Sequence, residues 1–131
     1  MKTVLSIVLV SGLVALTECN VFEPDQSVIL SVPKIDAPAT VSTGSSFTVT
    51  LTVQTGGCTS FSRLEVAKFN TGVHVVPWGT DARIGRKGVL CPAFISAEPH
   101  TIQIDPPFSG PYQVYVDQGR LAPVVATIQV Q

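Results

Sequence analysis

The sequence predicts an all-β protein, a single antiparallel β-sandwich of about seven strands that follows an N-terminal signal segment. Three observations lead to this prediction. Valine, threonine and isoleucine are abundant, whereas leucine is scarce after residue 20 and the one methionine is Met1. Ten glycines and ten prolines interrupt the 131-residue chain at intervals too short for long helices. Several segments alternate apolar and polar residues, the pattern of a strand with one buried face.

The clearest alternation is FTVTLTVQT, residues 47–55, in which every second side chain is apolar and the others are threonine or glutamine. Six further segments are predicted to be strands: residues 27–33, 61–69, 72–78, 100–105, 112–117 and 125–131. Residues 72–78 are expected to form a short or edge strand, because Pro77 cannot donate a hydrogen bond to a neighbour. Two sheets of such strands bury their apolar faces against each other and leave threonine and glutamine outside.

Residues 1–19 are predicted to be a signal peptide. Lys2 supplies a positive charge, and VLSIVLVSGLVAL, residues 4–16, carries none. A cationic start before an apolar run of about 7–15 residues is typical of a secretory signal, and the run is shorter than the roughly 20 residues that cross a bilayer. The chain is therefore predicted to be exported, with a short linker at residues 20–26 and one domain at residues 27–131.

Cys19 directly follows this segment and allows three interpretations. Leu16-Thr17-Glu18-Cys19 resembles the lipobox of bacterial lipoproteins, although Glu18 stands where that motif has a small residue. The resemblance implies a lipid on Cys19, which would be the protein's only attachment to the membrane of the cell envelope. Cleavage by ordinary signal peptidase, before Glu18 or before Asn20, would instead give a secreted protein. The third interpretation is an uncleaved N-terminal anchor.

The other two cysteines, Cys58 and Cys91, are predicted to form a disulfide in an oxidising compartment, which leaves Cys19 as the odd one. The pair encloses residues 58–91, which the sequence predicts to be the least regular part of the domain. Cys58 follows a strand at a glycine turn, and 33 residues separate the two cysteines. The disulfide is therefore expected to close a loop across one end of the domain, unlike the inter-sheet bridge of antibody domains.

Two segments resemble parts of bacterial extracellular immunoglobulin-like domains. APATVSTGSSFTVTLTVQT, residues 37–55, is similar to their opening, in which P-x-x-V-x-x-G precedes an alternating strand. PPFSGPYQVYVDQG, residues 106–119, resembles their late hairpin, in which a G-x-Y-x-V-x-V strand follows a turn. The resemblance implies a sandwich of the immunoglobulin or fibronectin kind.

The charge of the chain argues against a nucleic-acid partner, because its net charge is −1 and nucleic-acid binding needs a strongly basic face. The only basic cluster is RIGRKG, with Arg83, Arg86 and Lys87. It is either a solvated loop or a contact for anionic lipid or cell-wall polymer. Trp78, the only tryptophan, either packs in the core beneath its loop or binds a protein or envelope polymer together with these cations.

Catalytic motifs are not found in the sequence, which contains no G-x-S-x-G elbow, no P-loop and no Asp-rich calcium loop. His74 and His100 lie in predicted strands, and His100 shares a face with Ile102 and Ile104. The sequence therefore predicts a non-catalytic exported or envelope-associated module, structural or binding, without cofactor or metal. The alternative is a metal or small-ligand carrier in which His74, His100 and nearby carboxylates converge.

Overall fold

The computed structural model of the protein describes residues 25–131. The predicted signal peptide, the lipidation site at Cys19 and most of the predicted linker lie outside these residues, and the domain boundaries stay a prediction. The described part contains nine strands and no helix, so the all-β prediction is confirmed. The strands are β1 (Ser27–Ile29), β2 (Ser31–Asp36), β3 (Thr40–Val41), β4 (Phe47–Gly56), β5 (Thr59–Phe69), β6 (Gly72–Asp81), β7 (Ile95–Ile104), β8 (Tyr112–Gln118) and β9 (Leu121–Val130).

The nine strands form two sheets that pack against each other, as a β-sandwich requires. The larger sheet has six strands in the order β1-β6-β8-β9-β3, with β5 on the other edge of β6, and the smaller sheet has the order β2-β4-β7. The predicted strand at residues 27–33 divides at Leu30, because β1 belongs to the larger sheet and β2 to the smaller one. This division and the short β3 explain why nine strands form where about seven are predicted.

Two of the strand pairings are parallel, whereas the sequence predicts an antiparallel sandwich. β6 runs parallel to β8, and β3 runs parallel to β9. β6 and β8 point the same way because β7, which lies in the other sheet, connects them. Alternation along a strand specifies which side chains face inward, but it does not specify the direction of the neighbouring strand.

β6 is a central strand, so the prediction of a short or edge strand around Pro77 is wrong. It has ten residues and is paired along both edges, with β5 on one side and with β8 and β1 on the other. Pairing with β8 ends at Val75, and pairing with β1 begins at Trp78. Pro77 lies between these two partners, where the ladder is interrupted and a missing N–H is tolerated. Its carbonyl accepts a hydrogen bond from the Leu30 N–H at 2.8 Å.

Residues 58–91 are more regular than the sequence predicts. They contain the antiparallel hairpin of β5 and β6, which is paired from Thr59–Asp81 to Phe69–Gly72. The irregular segment is shorter and lies later in the chain, at residues 82–94 between β6 and β7. We call these residues the β6–β7 loop.

The hydrophobic core lies between the two sheets and uses the inward-facing residues that the alternation predicts. At one end of it the rings of Phe47, Phe108 and Tyr112 pack edge to face, with centroids 5.2 to 5.8 Å apart. The Tyr112 hydroxyl is buried without a hydrogen-bond partner among the described residues, and burial raises the pKa of Tyr112. The fully buried aliphatic members include Val32, Val49, Leu51, Val53, Val75, Ile104, Val114, Val116 and Ile128.

Candidate functional site

The outer face of the three-stranded sheet is polar. Apart from Ala97, Pro99 and Ile95, the last of which pairs with Gly56 at the end of β4, the side chains that the register of β2, β4 and β7 places there are polar or charged: Lys34, Asp36, Thr48, Thr50, Thr52, Gln54, Thr101 and Gln103. Several of these groups bond to one another. The hydroxyls of Thr50 and Thr101 lie 3.3 Å apart, and Lys34 Nζ lies 2.9 Å from Asp36 Oδ1. This face is the solvated exterior that the sequence predicts.

The outer face of the six-stranded sheet carries aromatic and aliphatic side chains among polar ones, which include Arg63, Glu65, Gln113 and Thr127. In β6, Val73 and Val75 point into the core, so the alternate residues His74, Val76 and Trp78 point outward. Their neighbours in β5, β8 and β9 continue the same surface, on which Phe69 is 62%, Tyr115 39% and Val125 48% exposed. We call this surface the aromatic face, defined by Phe69, His74, Val76, Trp78, Tyr115 and Val125.

A shallow groove of about 280 Å³ lies at one end of the aromatic face, lined in part by Phe69, His74 and Tyr115. His74 and Tyr115 are register partners in β6 and β8, and their ring centroids lie 5.1 Å apart. Gly72 also lines the groove, and a Cβ at this position would come within 2.6 Å of the Gln113 carbonyl oxygen. A side chain would not fit between these strands, so glycine keeps the groove open between two aromatic walls.

Trp78 lies at the other end of the aromatic face, half-buried and held by charged residues of β5. Its indole N–H donates a hydrogen bond to Glu65 Oε2 at 2.9 Å, and the Arg63 guanidinium lies 5.6 Å from its ring centroid. The same Glu65 oxygen is 3.8 Å from Arg63 Nη2. The interpretation that Trp78 packs in the core is therefore wrong, because it lies on the sheet surface outside the core cluster, and the cation over its ring is Arg63 of β5.

The predicted basic cluster lies in the β6–β7 loop, where its three members have different surroundings. Arg83 binds the largely buried Asp81, with Nε donating to Oδ1 at 2.9 Å and Nη2 donating to Oδ2 at 2.5 Å. Hydrogen bonds from Arg83 hold the pKa of Asp81 at about 2. Arg83 thus fixes the start of the loop, whereas Arg86 and Lys87 are exposed. A joint site of these cations with Trp78 stays a prediction.

The disulfide between Cys58 and Cys91 is confirmed, with their Cα atoms 5.1 Å apart. It ties the β6–β7 loop to the turn between β4 and β5, where the Ala82 N–H also donates to the Cys58 carbonyl at 3.0 Å. The bridge closes one end of the sandwich, as predicted. The turn FNTG, residues 69–72, is not in the region that the bridge holds, because it lies at the other end of the β5–β6 hairpin, about 30 Å away at roughly 3.3 Å per residue.

The two histidines lie on opposite sides of the six-stranded sheet. His100 points inward, on the face of Ile102 and Ile104 as predicted, and stacks on Phe61 with a centroid distance of 3.8 Å. Its Nε2 is buried, 4.0 Å from Glu98 Oε2. His74 belongs to the outer, aromatic face. No three or more His, Cys, Asp or Glu side chains in residues 25–131 are grouped to hold a metal ion. The geometry therefore does not favour the carrier alternative.

Phe69 and Tyr115 are not among the site residues that the sequence predicts. Both can be recognised from the sequence, because each is an aromatic residue at a position that alternates with the buried residues of its own strand. Trp78 in β6 satisfies the same condition, since it is out of phase with Val73 and Val75.

Comparison with known proteins adds no relative to this picture. No protein-family model matches the chain, and neither does any curated protein or solved structure. No helix that could cross a bilayer is present in residues 25–131. The candidate site is therefore defined by its geometry alone.

Proposed function

We propose that this protein is a non-catalytic, exported β-sandwich of the immunoglobulin-like kind, which binds another protein of the cell envelope through its aromatic face. The immunoglobulin-like assignment is supported by the two motif segments at residues 37–55 and 106–119, and by the two packed sheets. The parallel pairing of β6 and β8 is a departure from the all-antiparallel immunoglobulin sandwich. The non-catalytic role is supported by both imidazoles, which pack against aromatic rings.

The observation that carries the proposal is the difference between the two outer faces. Both faces belong to strands with the same alternation, and a sandwich needs only its inner faces to be apolar, so folding alone explains the polar face but not the aromatic one. Monomeric proteins rarely expose contiguous apolar surface without a binding role. The aromatic face therefore has the composition of a surface that is covered when the protein works.

A protein is the partner that the chemistry of this face favours. Tyrosine, tryptophan and arginine dominate the energetics of protein–protein interfaces, and the aromatic face offers Tyr115, Trp78 and Arg63. Charged groups such as Glu65 lie beside the apolar residues and can give the contact its specificity. The groove is open and shallow, which suits an apolar side chain of a partner better than an enclosed small molecule.

The envelope location is supported by the signal pattern of residues 1–19 and by the disulfide, which is compatible with an exported protein. We propose that Cys19 is lipidated and holds the domain at a membrane. Mass spectrometry of the mature N-terminus tests this point. A diacylglyceryl group on Cys19 would support it, and an N-terminus at Glu18 or Asn20 would show secretion instead.

The binding proposal is tested by the size of the complex that the exported protein forms in its producing cells. The wild-type protein, extracted in mild detergent, should sediment as a complex larger than its own mass. Tyr115→Arg should release it, because a charge would be buried in the interface, whereas Thr101→Arg on the polar face should not. A complex that survives Tyr115→Arg would contradict the proposal, and retention on insoluble cell-wall polymer would identify the partner as a polymer instead.

A further inference from the structure

The β6–β7 loop and the first residue of β7 carry a second exposed apolar cluster, apart from the aromatic face. Three of the seven exposed large hydrophobic side chains of the described chain lie within six residues: Leu90 is 93%, Phe94 55% and Ile95 73% exposed. Arg86 and Lys87 lie in the same loop, and residues 82–94 contain no aspartate or glutamate. We call Arg86, Lys87, Leu90, Phe94 and Ile95 the loop surface.

The loop that carries the loop surface is attached to the turn between β4 and β5. This attachment keeps its apolar side chains from turning inward. The disulfide and the hydrogen bond from Ala82 to Cys58 fix it at two points. Directly after the disulfide, the backbone of Pro92 lies against Gly57, where a Cβ would come within 1.9 Å of the Pro92 carbonyl oxygen. A pre-organised apolar loop loses little conformational freedom when it binds.

The N-terminal end of the described chain lies beside the same loop. The Gln26 carbonyl accepts a hydrogen bond from the Asp81 N–H at 2.9 Å, and the Gln26 side-chain amide donates to the Ile84 carbonyl at 3.3 Å. Cys19 lies six residues before Asp25, a stretch that spans at most about 20 Å when extended. An anchor at Cys19 would therefore hold the loop end of the sandwich within about 20 Å of its membrane.

We propose that the loop surface docks on a lipid bilayer that contains anionic headgroups. Leu90, Phe94 and Ile95 enter the boundary between headgroups and acyl chains, and Arg86 and Lys87 neutralise the headgroups. Of the charged groups at the loop, Asp81 is paired with Arg83, whereas Arg86 and Lys87 take part in none of the ion pairs among the described residues. Two of the positive charges of the loop thus remain for the membrane.

The loop surface would also provide a second point of attachment to the membrane. Stable attachment generally needs a lipid chain together with a second, often basic, element. With the loop surface on the bilayer, β5 and β6 run away from the membrane and the aromatic face stays accessible to a partner protein. The inference rests on the proposed envelope location for its membrane, but not on the aromatic face.

The test measures how deep each end of the sandwich enters a bilayer. In the full chain with Trp78→Phe, one tryptophan is introduced at the loop by Leu90→Trp, or at the distant turn by Thr71→Trp. Each protein is mixed with vesicles of phosphatidylcholine and phosphatidylglycerol whose acyl chains are brominated, which quench indole fluorescence on contact. We expect strong quenching for Leu90→Trp and none for Thr71→Trp. Because both share the same N-terminus, the difference reports the loop alone.

The electrostatic part is tested on the same vesicles without bromine. Arg86→Gln with Lys87→Gln should weaken binding about 30-fold, at roughly fivefold for each charge, whereas the matched pair Lys34→Gln with Lys68→Gln should not. Equal quenching at both positions, or equal losses in both charge pairs, would overturn the inference. Tyr115→Arg should leave vesicle binding unchanged, so a failure of the loop surface can be told apart from a failure of the aromatic face.

Discussion

The outer faces of the two sheets share one backbone geometry and carry nearly opposite side chains. On the three-stranded sheet, the Thr50 and Thr101 hydroxyls bond to each other, Lys34 pairs with Asp36, and Gln103 donates to Asp105. On the six-stranded sheet, the corresponding positions hold Trp78, His74 and Tyr115, with Phe69 exposed at the edge. A stable sandwich needs only the interior faces to be apolar. The difference therefore separates the exterior residues that the fold explains from those to which we assign a binding role by proposal.

The largest expected effect comes from removing the disulfide. This change destabilises the loop end and leaves the side chains of both outer faces unaltered. Replacing both Cys58 and Cys91 with serine should lower the free energy of unfolding by about 3–4 kcal/mol, the chain-entropy value for a loop of this length. Guanidinium unfolding of the variant and wild type measures the change. Below the unfolding transition the variant should still form the envelope complex. Loss of the complex in the folded variant would show that the aromatic face depends on the loop.

The next effect is on partner binding, and it compares the faces directly. Tyr115→Ala should weaken the affinity for the partner isolated from the complex by about 2 kcal/mol, roughly 30-fold, as for an interface hot spot. Thr101→Ala, its control on the polar face, should change the affinity less than threefold by the same criterion. Isothermal titration calorimetry measures both. Equal losses would mean that the two faces do not differ in function.

The third effect is on the stability of the protein in acid and concerns the ion pair at the end of β6. The bond from Arg83 lowers the pKa of Asp81 from 3.8 to about 2. The pair therefore contributes stability above pH 3.8, and this contribution is lost as the pH falls towards 2. Arg83→Gln should destabilise the protein at pH 7 and flatten the loss of stability between these two pH values. Urea unfolding at a series of pH values measures this.

The control for this prediction is Arg120→Gln, which removes the same charge from the turn between β8 and β9. It should keep the acid dependence of the wild type. An acid dependence that is unchanged by Arg83→Gln would contradict the assignment of Asp81 as the carboxylate responsible.

The smallest effect compares the two tyrosines of β8, Tyr112 inside and Tyr115 outside. The Tyr112 hydroxyl is buried without a partner in residues 25–131, so Tyr112→Phe removes an unsatisfied group and leaves the ring packing with Phe47 and Phe108 in place. The free energy of unfolding should stay the same or rise by about 1 kcal/mol. Thermal unfolding checks this. A marked loss of stability would indicate a buried hydrogen bond that the structure does not record.

The sequence predicts the faces of the strands well because alternation reports burial directly. Residues 47–55, 100–105 and 112–117 turn inward the side chains that their period indicates. It does not predict which strands pair, because β6 has apolar residues on both sides: Val75 and Pro77 face the core, while Val76 and Trp78 belong to the aromatic face. A continuous apolar run that contains a proline resembles an edge strand. Only the structure shows that the neighbouring strand changes from β8 to β1 at Pro77.

The candidate site could be predicted only in part for the same reason. Arg83, Arg86 and Lys87 are close to Trp78 in the sequence, but the alternation of β6 and the turn after Asp81 separate the tryptophan from them. The cation over the Trp78 ring, Arg63, is fifteen residues earlier and reaches it through the register of β5. Cross-strand neighbours of this kind follow from pairing, which local sequence does not specify.

Site-specific photocrosslinking in the producing cells tests the central claim most directly. A benzoylphenylalanine is placed at position 115 on the aromatic face or at position 101 on the polar face of the full exported protein. The account predicts one adduct of defined mass from position 115, which disappears when Phe69→Arg is added, and none from position 101. No adduct at position 115, or the same adducts from both positions, would contradict it.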